Sequence, residues 1–275
     1  MLETITSLAN PLVKHARALR QKKARDESGA FLVEGLAHVG SAVEAGWQVE
    51  TLLYAPERLR SEFGLELVAK LDQNGVRCQP VSAAVFESFA EKENPQGLAA
   101  VVRQKRCGLP DVLTCGPEPR LALFAALVTP QDPGNIGTIL RTLDAVGGAG
   151  LFLLDGGADP FQPACVRASM GTLFSVPLFQ ADFDEFAAWA AKNDLRLVGT
   201  SARAEIDYRQ LALSPRPTVI LLGSEQKGLD PAQLSVCDTL VSLPMRGKVS
   251  SLNLGVAAGV FLYAFADSRR QAGSL

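Results

Sequence analysis

The sequence predicts an α/β protein in which a small α/β domain precedes a larger domain built on a mostly parallel, doubly wound sheet. In the second half of the chain, short apolar runs alternate with helical stretches, as a parallel sheet with crossover helices requires. One run, residues 121–128, is apolar throughout, which is typical of a strand covered on both faces. Residues 104–119 contain three prolines and two glycines without a hydrophobic period. We therefore predict a first domain over residues 1–103, a linker over 104–119 and a second domain over 120–275.

The composition is typical of a packed globular protein. Of the 275 residues, 47% are hydrophobic and 20% are charged, and the net charge of −2 gives no global argument for nucleic-acid binding. The five cysteines are odd in number and form no C-x-x-C pair, which argues for reduced thiols and against a zinc site. The N-terminus lacks an apolar signal-peptide core, and the apolar helix near the C-terminus is shorter than the roughly 20 residues that span a bilayer. We therefore expect a cytoplasmic protein that binds neither a membrane nor a metal.

The first domain is predicted from strand-like and helical segments that alternate after residue 30. The predicted strands cover residues 31–33, 49–55, 76–81 and 98–103. The predicted helices cover residues 36–45, 65–71 and 83–91. Elements of these lengths build a small α/β domain.

Residues 10–25 precede these elements and combine helical spacing of apolar residues with a run of basic ones. No acidic residue occurs in the segment, and we predict one amphipathic helix. Its basic face is either a solvated surface or a surface that binds phosphates. The basic residues are Lys14, Arg17, Arg20, Lys22, Lys23 and Arg25.

The second domain continues after residue 128 with further strands and helices. The predicted strands cover residues 151–154, 195–200, 218–222 and 239–243, and the helices include 136–146, 183–192 and a long apolar helix opened by Ser250 and Ser251. In such sheets, ligands bind in the loops beyond the carboxyl ends of the strands. Three of these loops carry unusual residues.

The first of these loops, residues 129–135, is fixed by prolines and glycine and ends at Asn135, which can cap the following helix. Arg141 lies among apolar neighbours in that helix. It is either an ion-pair partner of Asp132 or Asp144, or it binds an oxyanion.

The second loop carries a carboxylate, and the third loop leads into the long apolar helix. Gly223 ends a buried strand and is followed by Glu225, which could pair with a cation, bind hydroxyls or cap the turn. The loop is not a phosphate-binding P-loop, because it lacks the G-x-x-x-x-G-K-[ST] pattern. In the third loop, glycine and serine precede the long helix, where free backbone amides suit a small polar ligand, and Asn253 adds a polar side chain.

Together, the order and spacing of these residues resemble the three motifs of the SpoU/TrmH family of RNA ribose 2′-O-methyltransferases, in the SPOUT superfamily. The motifs are N-x-G-x-x-x-R, G-S-E-x-x-G-L and P-M-x-G-x-x-x-S-L-N, here Asn135, Gly137, Arg141; Gly223, Ser224, Glu225, Gly228, Leu229; and Pro244, Met245, Gly247, Ser251, Leu252, Asn253. The resemblance covers residues 120–267 and includes the segment 166–174. The first domain, with its segment 94–102, resembles the small substrate-binding domain that many members carry.

The resemblance implies a SPOUT fold with a deep trefoil knot, S-adenosyl-L-methionine as the cofactor, and a homodimer with active sites at the subunit interface. Transfer-RNA members commonly use terminal helical extensions, so ribosomal RNA is favoured over tRNA. By matching to the family motifs, the residues that surround the methyl donor would be Gly223, Leu243, Met245, Ser251 and Leu252. The same matching gives a catalytic cluster of Asn135, Arg141, Glu225 and Asn253. In that context the basic residues of segment 10–25 are expected to contact RNA.

The implied reaction agrees with the residue types. In-line methyl transfer to a hydroxyl depends on positioning and needs no metal. Because a guanidinium stays protonated, we expect Arg141 to orient the target phosphate and ribose and to lower the pKa of the hydroxyl, with action as a base still open. Alternatives are a tRNA 2′-O-methyltransferase and a non-catalytic RNA-binding or resistance protein of this fold. A hydrolase is a poor alternative, because the only histidines, His15 and His38, lie outside the motif domain.

Overall fold

A computed structural model describes residues 2–91, 93–112, 122–211 and 214–271. The chain divides into two compact units. The first unit comprises Met1–Lys105 and Phe161–Phe174, and the second comprises Arg106–Pro160 and Ser175–Leu275. The sequence-based division assigns residues 161–174 to the second domain, whereas the structure groups them with the first unit. Residues 113–119 of the predicted linker lie outside the described residues.

The first unit is built on a four-stranded sheet of order β1-β4-β2-β3. Strands β1 and β2 are antiparallel to β4, and β3 is parallel to β2. The strands are β1 (Ala30–Glu34), β2 (Val49–Tyr54), β3 (Arg77–Pro80) and β4 (Leu98–Arg103). The helices are α1 (Pro11–Ala18), α2 (Lys22–Ser28), α3 (Leu36–Glu44), α4 (Glu62–Gln73) and α5 (Ala83–Glu87). The strands and helices predicted after residue 30 are therefore present in this unit.

The single helix predicted over residues 10–25 is wrong, because the segment forms two short helices, α1 and α2. The side chain of Asn10 caps α1. The Arg25 guanidinium donates 2.8 Å hydrogen bonds to the carbonyl oxygens of Leu19 and Arg20. These carbonyls lie between the two helices and are satisfied by Arg25 instead of by the N–H groups of a continuous helix. Arg25 is only 1% exposed. It is therefore a buried structural residue and does not belong to the predicted phosphate-binding surface.

Aromatic packing holds residues 161–174 in the first unit. Phe31 packs on Phe161 with ring centroids 4.9 Å apart, and Trp47 meets Phe174 edge to face at 5.2 Å. The Trp47 indole N–H also donates to the Phe174 carbonyl oxygen at 3.0 Å. Helix α6 (Pro163–Ala168) lies within this segment. Buried aromatic side chains contribute large apolar areas, which explains why this segment folds with the first unit.

The second unit contains a seven-stranded sheet of order β7-β6-β5-β10-β8-β11-β9, in which every described strand pair is parallel. The predicted mostly parallel sheet is confirmed, and the trefoil knot stays a prediction. The strands are β5 (Leu123–Val128), β6 (Gly150–Leu154), β7 (Leu178–Ala181), β8 (Arg196–Thr200), β9 (Ile206–Asp207), β10 (Thr218–Leu222) and β11 (Thr239–Ser242). The helices are α7 (Pro133–Val146), α8 (Phe183–Lys192), α9 (Pro231–Ser235) and α10 (Leu254–Gln271).

Helices cover both faces of this sheet, so strands β5, β6 and β10 are buried along their whole length. On one face, Phe152, Phe179 and Phe186 form an aromatic core beneath α8. Helix α10 packs on α7 and on strands β5 and β10. None of the described helices has the length and apolarity of a membrane span.

Candidate active site

The motif residues predicted from the sequence lie in the segments that follow β5, β10 and β11. Strands β5 and β10 are neighbours in the sheet, and β8 is the next strand beyond β10. Because the strands are parallel, their carboxyl ends meet at one edge of the sheet. This edge is where open α/β sheets bind ligands.

The first motif places Asn135 in the opening turn of α7, which begins at Pro133. Asp132 is the helix cap, because its carboxylate accepts the Gly134 N–H at 2.8 Å. The interpretation of Asn135 as the cap is therefore wrong. Asn135 is 6% exposed and its amide donates to Oε1 of Glu225 at 3.0 Å. The first and second motifs thus meet through these two side chains.

Glu225 is held by the loop after β5 as well as by Asn135. Its carboxylate oxygens accept the backbone N–H groups of Gln131 at 3.1 Å and Asp132 at 3.4 Å. Burial acts to raise the pKa of Glu225, but the hydrogen bonds from Asn135 and from backbone N–H groups outweigh it and the pKa is lowered. The Glu225 carboxylate therefore fastens two loops together, which is a role not among those considered from the sequence.

Thr129 begins the loop that supplies these backbone donors, and its φ of 44° is unusual for a β-branched residue. Such backbone strain concentrates at functional sites, where the surrounding structure enforces it. The sequence gives no signal of this conformation.

Arg141 lies two turns into α7 with an exposed side chain. Neither of the ion pairs considered from the sequence is formed: Asp132 caps the helix, and Asp144 accepts a hydrogen bond from Ser175 at 3.3 Å. No residue that the structure describes makes a hydrogen bond or ion pair with the guanidinium. Arg141 is therefore available to an anionic ligand.

The second motif forms a tight turn after β10. A Cβ atom on Gly223 would lie 2.0 Å from the carbonyl carbon of Gly228, so only glycine fits at the end of this strand. The Gly228 N–H donates to the Ser224 carbonyl oxygen at 2.9 Å and closes the turn. This close backbone approach fixes the position of Glu225 between the two glycines.

A cleft of about 570 Å³ opens beside this turn, between the ends of β8 and β10 and the start of α10. Its apolar wall includes Leu222, Leu229, Leu254, Ala257 and Phe261. Of the predicted catalytic and donor-binding residues, those on its wall are Gly223, Glu225, Ser251 and Leu252. Leu243 and Met245 lie in the preceding loop and are not among the described residues that line the cleft.

Sequence reasoning missed the part of the cleft wall at the carboxyl end of β8. This part comprises Thr200, Ser201, Ala202 and Arg203. The Thr200 hydroxyl donates to the Leu221 carbonyl oxygen at 3.1 Å and ties β8 to β10. The sequence signal that could have identified these residues is their position at the carboxyl end of a predicted parallel strand.

The third motif ends at Asn253, which caps α10. The Asn253 amide oxygen accepts the backbone N–H groups of Gly255 at 2.9 Å and Val256 at 3.3 Å. The helix therefore begins at Leu254, and the predicted start at Ser250 and Ser251 is wrong. A Cβ on Gly255 would lie 3.2 Å from Thr138 on α7, so the starts of the two helices are adjacent.

The basic residues of the first unit make several internal contacts. Arg17 donates to the Leu8 carbonyl, Arg20 pairs with Glu91, Lys22 with Asp26, and Lys23 with Glu27. Among the described residues, Lys14 has no such partner. The described part of the chain also holds no cluster of histidine, cysteine and carboxylate side chains placed to bind a metal.

Comparison with known proteins accounts for this arrangement. The model of the SpoU rRNA methylase family matches residues 122–263, more than half of the chain and all three motifs. The chain belongs to the SpoU rRNA methylase family. A second model, of the MRM3-like substrate binding domain, matches residues 10–100 of this SpoU family member.

Relatives of this SpoU chain include named enzymes. A 23S rRNA (uridine(2479)-2′-O)-methyltransferase of Streptomyces viridochromogenes is 35% identical, over 89% of this chain and 85% of the relative. A 23S rRNA (guanosine(2553)-2′-O)-methyltransferase of Bacillus subtilis is 29% identical, over 95% and 98%. The crystal structure of an AdoMet-bound rRNA methyltransferase from Sinorhizobium meliloti superimposes with a TM-score of 0.87 at 35% identity, covering 98% of each chain.

The cleft of this SpoU family member fits a nucleoside-sized donor. Its volume lies within the range of about 300–1,000 Å³ that is usual for cofactor sites. Apolar side chains of β10 and α10 form one wall, and the hydroxyl groups of Thr200, Ser201 and Ser251 supply a few polar groups. A lining of this kind suits a ligand with an aromatic base and a polar tail.

Proposed function

We propose that this protein is an S-adenosyl-L-methionine-dependent RNA methyltransferase that methylates a ribose 2′-hydroxyl in ribosomal RNA. One observation carries the proposal: four of the predicted catalytic and donor-binding residues line one cleft at the carboxyl edge of the sheet, and one of them is hydrogen-bonded to Asn135. Family membership and relatives named for 2′-O-methylation of 23S rRNA support it.

The donor would occupy the cleft between the second and third motifs. The turn at Gly223 presents backbone groups on one side, and Ser251 and Leu252 line the other. Leu243 and Met245 would complete the donor site from the adjacent loop. The bound donor supplies an electrophilic methyl group on a sulfonium, so the protein has to align a hydroxyl with it.

Arg141 would receive the RNA at the reacting position. Its guanidinium stays protonated and offers a planar set of donors that matches a phosphate. A cation beside the ribose also stabilises the developing alkoxide and lowers the pKa of the 2′-hydroxyl. Arg141 therefore orients the nucleotide and promotes loss of the hydroxyl proton.

Glu225 and the two asparagines would hold the site in shape. The lowered pKa of Glu225 makes it a weak base, so it serves as a fastener between loops. Asn253 uses its amide oxygen to cap α10, which leaves its NH₂ group to donate to an oxygen of the nucleotide. Asn135 sets the position of the loop from which α7 and Arg141 extend.

Ribosomal RNA is the favoured substrate because both named relatives act on it and match the chain along most of its length. The first unit would bind that RNA, in agreement with its match to a substrate-binding domain. Of the six predicted RNA-binding residues, Lys14, Arg20, Lys22 and Lys23 are exposed and remain candidates for phosphate contact. An enzyme that modifies ribosomal RNA would act in the cytoplasm.

The protein would act as a homodimer. Val256 and Tyr263 are 53% and 51% exposed on α10 and lie seven residues apart, hence on one face. We propose that the same face of a second copy of the protein packs against it, because symmetric dimers bury self-complementary patches.

The proposal is tested by calorimetry with S-adenosyl-L-methionine, followed by methyl transfer to unmodified transcripts of large-subunit rRNA and of tRNA. We expect donor binding and incorporation of one 2′-O-methyl group into the rRNA transcript. Donor binding with incorporation only into tRNA would contradict the substrate. Absence of donor binding would favour the non-catalytic alternative.

A further inference from the structure

Two cations line the cleft and match none of the motif positions. Arg203 follows β8, and Lys227 lies in the turn after β10. Both side chains are exposed, and neither forms a hydrogen bond or ion pair with any residue that the structure describes. We propose that these two residues, the rim cations, bind a backbone phosphate beside the target ribose of the RNA substrate.

The charge of the cleft wall is not balanced internally. Among the described lining residues, the only acidic one is Glu225. Its carboxylate already accepts hydrogen bonds from Asn135 and from two backbone N–H groups of the loop after β5. The positive charge of Arg203 and Lys227 is therefore left for a ligand.

The charge of the methyl donor argues against the donor as that ligand. S-adenosyl-L-methionine carries a sulfonium, an ammonium and one carboxylate, so its net charge is positive and two nearby cations repel it. The cleft floor, with Leu222, Leu254 and Phe261, suits the uncharged base of the donor. The rim cations are therefore better suited to an anion that lies outside the donor pocket than to the donor itself.

The substrate must bring such an anion to the cleft. A ribose 2′-hydroxyl that attacks the donor has a phosphate on each side of its sugar, so at least one phosphate lies at the mouth of the cleft. Arginine and lysine bind phosphates through charge-assisted hydrogen bonds. This inference rests on the proposed function and assigns a positioning role to residues that its motifs do not include.

Lys192 provides a matched control. It ends α8, which leads into the amino end of β8, and therefore lies at the sheet edge opposite the cleft. It is exposed and, like the rim cations, has no ion-pair partner among the described residues. Lys192→Ala removes one charge without touching the cleft.

The test compares the double variant Arg203→Ala/Lys227→Ala, the charge-conserving Arg203→Lys/Lys227→Arg and Lys192→Ala. The probe is large-subunit rRNA transcribed in vitro from the same genome, with binding measured against salt concentration. We expect the double Ala variant to reduce the slope of log Kobs against log salt by about 1–2 and to raise the KM for RNA at least tenfold. The other two variants should match the wild type, and calorimetry should give the wild-type Kd for S-adenosyl-L-methionine within twofold.

Two results would overturn the assignment. An unchanged salt slope and KM in the double Ala variant would show that the rim cations do not contact RNA. A tenfold weaker Kd for the donor with an unchanged slope would show that they bind the donor carboxylate. Methylation of the transcript by the wild-type protein tests the proposed function separately, so the two failures are distinguishable.

Discussion

The side-chain amide of Asn135 donates to the carboxylate of Glu225 at 3.0 Å, across 90 residues of sequence. This bond joins the first and second motifs and, with two backbone N–H groups, fixes the loop after β5 to the turn after β10. The site therefore depends on a contact between elements that are neighbours only in the folded sheet.

We expect Asn135→Ala to raise the pKa of Glu225, because the carboxylate loses a donor, and to lower the free energy of unfolding by about 1 kcal/mol. Methyl transfer should fall because the start of α7 is no longer fixed to the turn. The matched control is Asn193→Ala, which removes an amide that donates to the Trp189 carbonyl at the end of α8. Equal effects of the two variants on methyl transfer would contradict the role of Asn135.

The lowered pKa of Glu225 also predicts a pH dependence of stability. The pKa in the folded state lies below its ordinary value of 4.5, so the carboxylate stabilises the fold above that pH. This contribution is lost as the pH falls through the folded-state pKa. Urea unfolding of the wild type and Glu225→Gln from pH 7 downward should show their difference shrinking below about pH 4.5. A difference that grows on acidification would contradict this sign.

Gly223→Ala and Gly228→Ala form a matched pair at the donor turn. A Cβ on Gly223 meets backbone atoms, whereas a Cβ on Gly228 meets nothing within 4 Å and only its φ of 67° is unfavourable. We expect losses in the free energy of unfolding of about 3 kcal/mol for the first. For the second we expect about 1 kcal/mol. Donor binding by calorimetry should be abolished in Gly223→Ala alone, and wild-type binding in that variant would contradict the placement of the donor.

Arg25→Ala and Lys23→Ala separate structure from RNA binding in the first unit. Arg25 is buried and donates to two backbone carbonyls, so its removal should cost about 2 kcal/mol of unfolding free energy. Lys23 is exposed, so Lys23→Ala should leave stability unchanged and make the salt dependence of RNA binding shallower. An unchanged salt slope would count against this surface as an RNA contact.

Val256→Glu tests the proposed dimer face. A carboxylate on this exposed face should shift the sedimentation coefficient to that of a monomer and reduce methyl transfer, because burying an unpaired charge is costly. Leu65→Glu is the control, since Leu65 is 52% exposed on α4 in the first unit. If both variants sediment like the wild type, α10 is not the dimer contact.

Much of the fold follows from local patterns in the sequence. The limits of β10 (Thr218–Leu222) and α8 (Phe183–Lys192) agree with the prediction. The strand is a continuous apolar run and the helix has a helical hydrophobic period, and each pattern is visible within its own segment. Strand ends then locate the loops where the motifs lie. The spacing of a motif within one loop is also local, which is why the resemblance identifies the family.

What the sequence does not show are relations between distant segments. The break after α1 depends on Arg25 turning back to the carbonyls of Leu19 and Arg20, which no helical period reveals. The segment 161–174 joins the first unit through aromatic contacts made far away in sequence. Arg203 reaches the cleft only because β8 lies beside β10 in the sheet.

The central claim is that Arg141 acts in methylation of a ribose in ribosomal RNA. The most direct measurement maps 2′-O-methyl groups in total RNA from cells with the gene, without it, and with an Arg141→Ala copy. Because Arg141 is exposed and has no described partner, the variant should fold and bind the donor normally. We predict that one rRNA site loses its methyl group in the deletion, that the wild-type gene restores it, and that Arg141→Ala does not. Restoration by Arg141→Ala, or loss of a site in tRNA alone, would contradict the account.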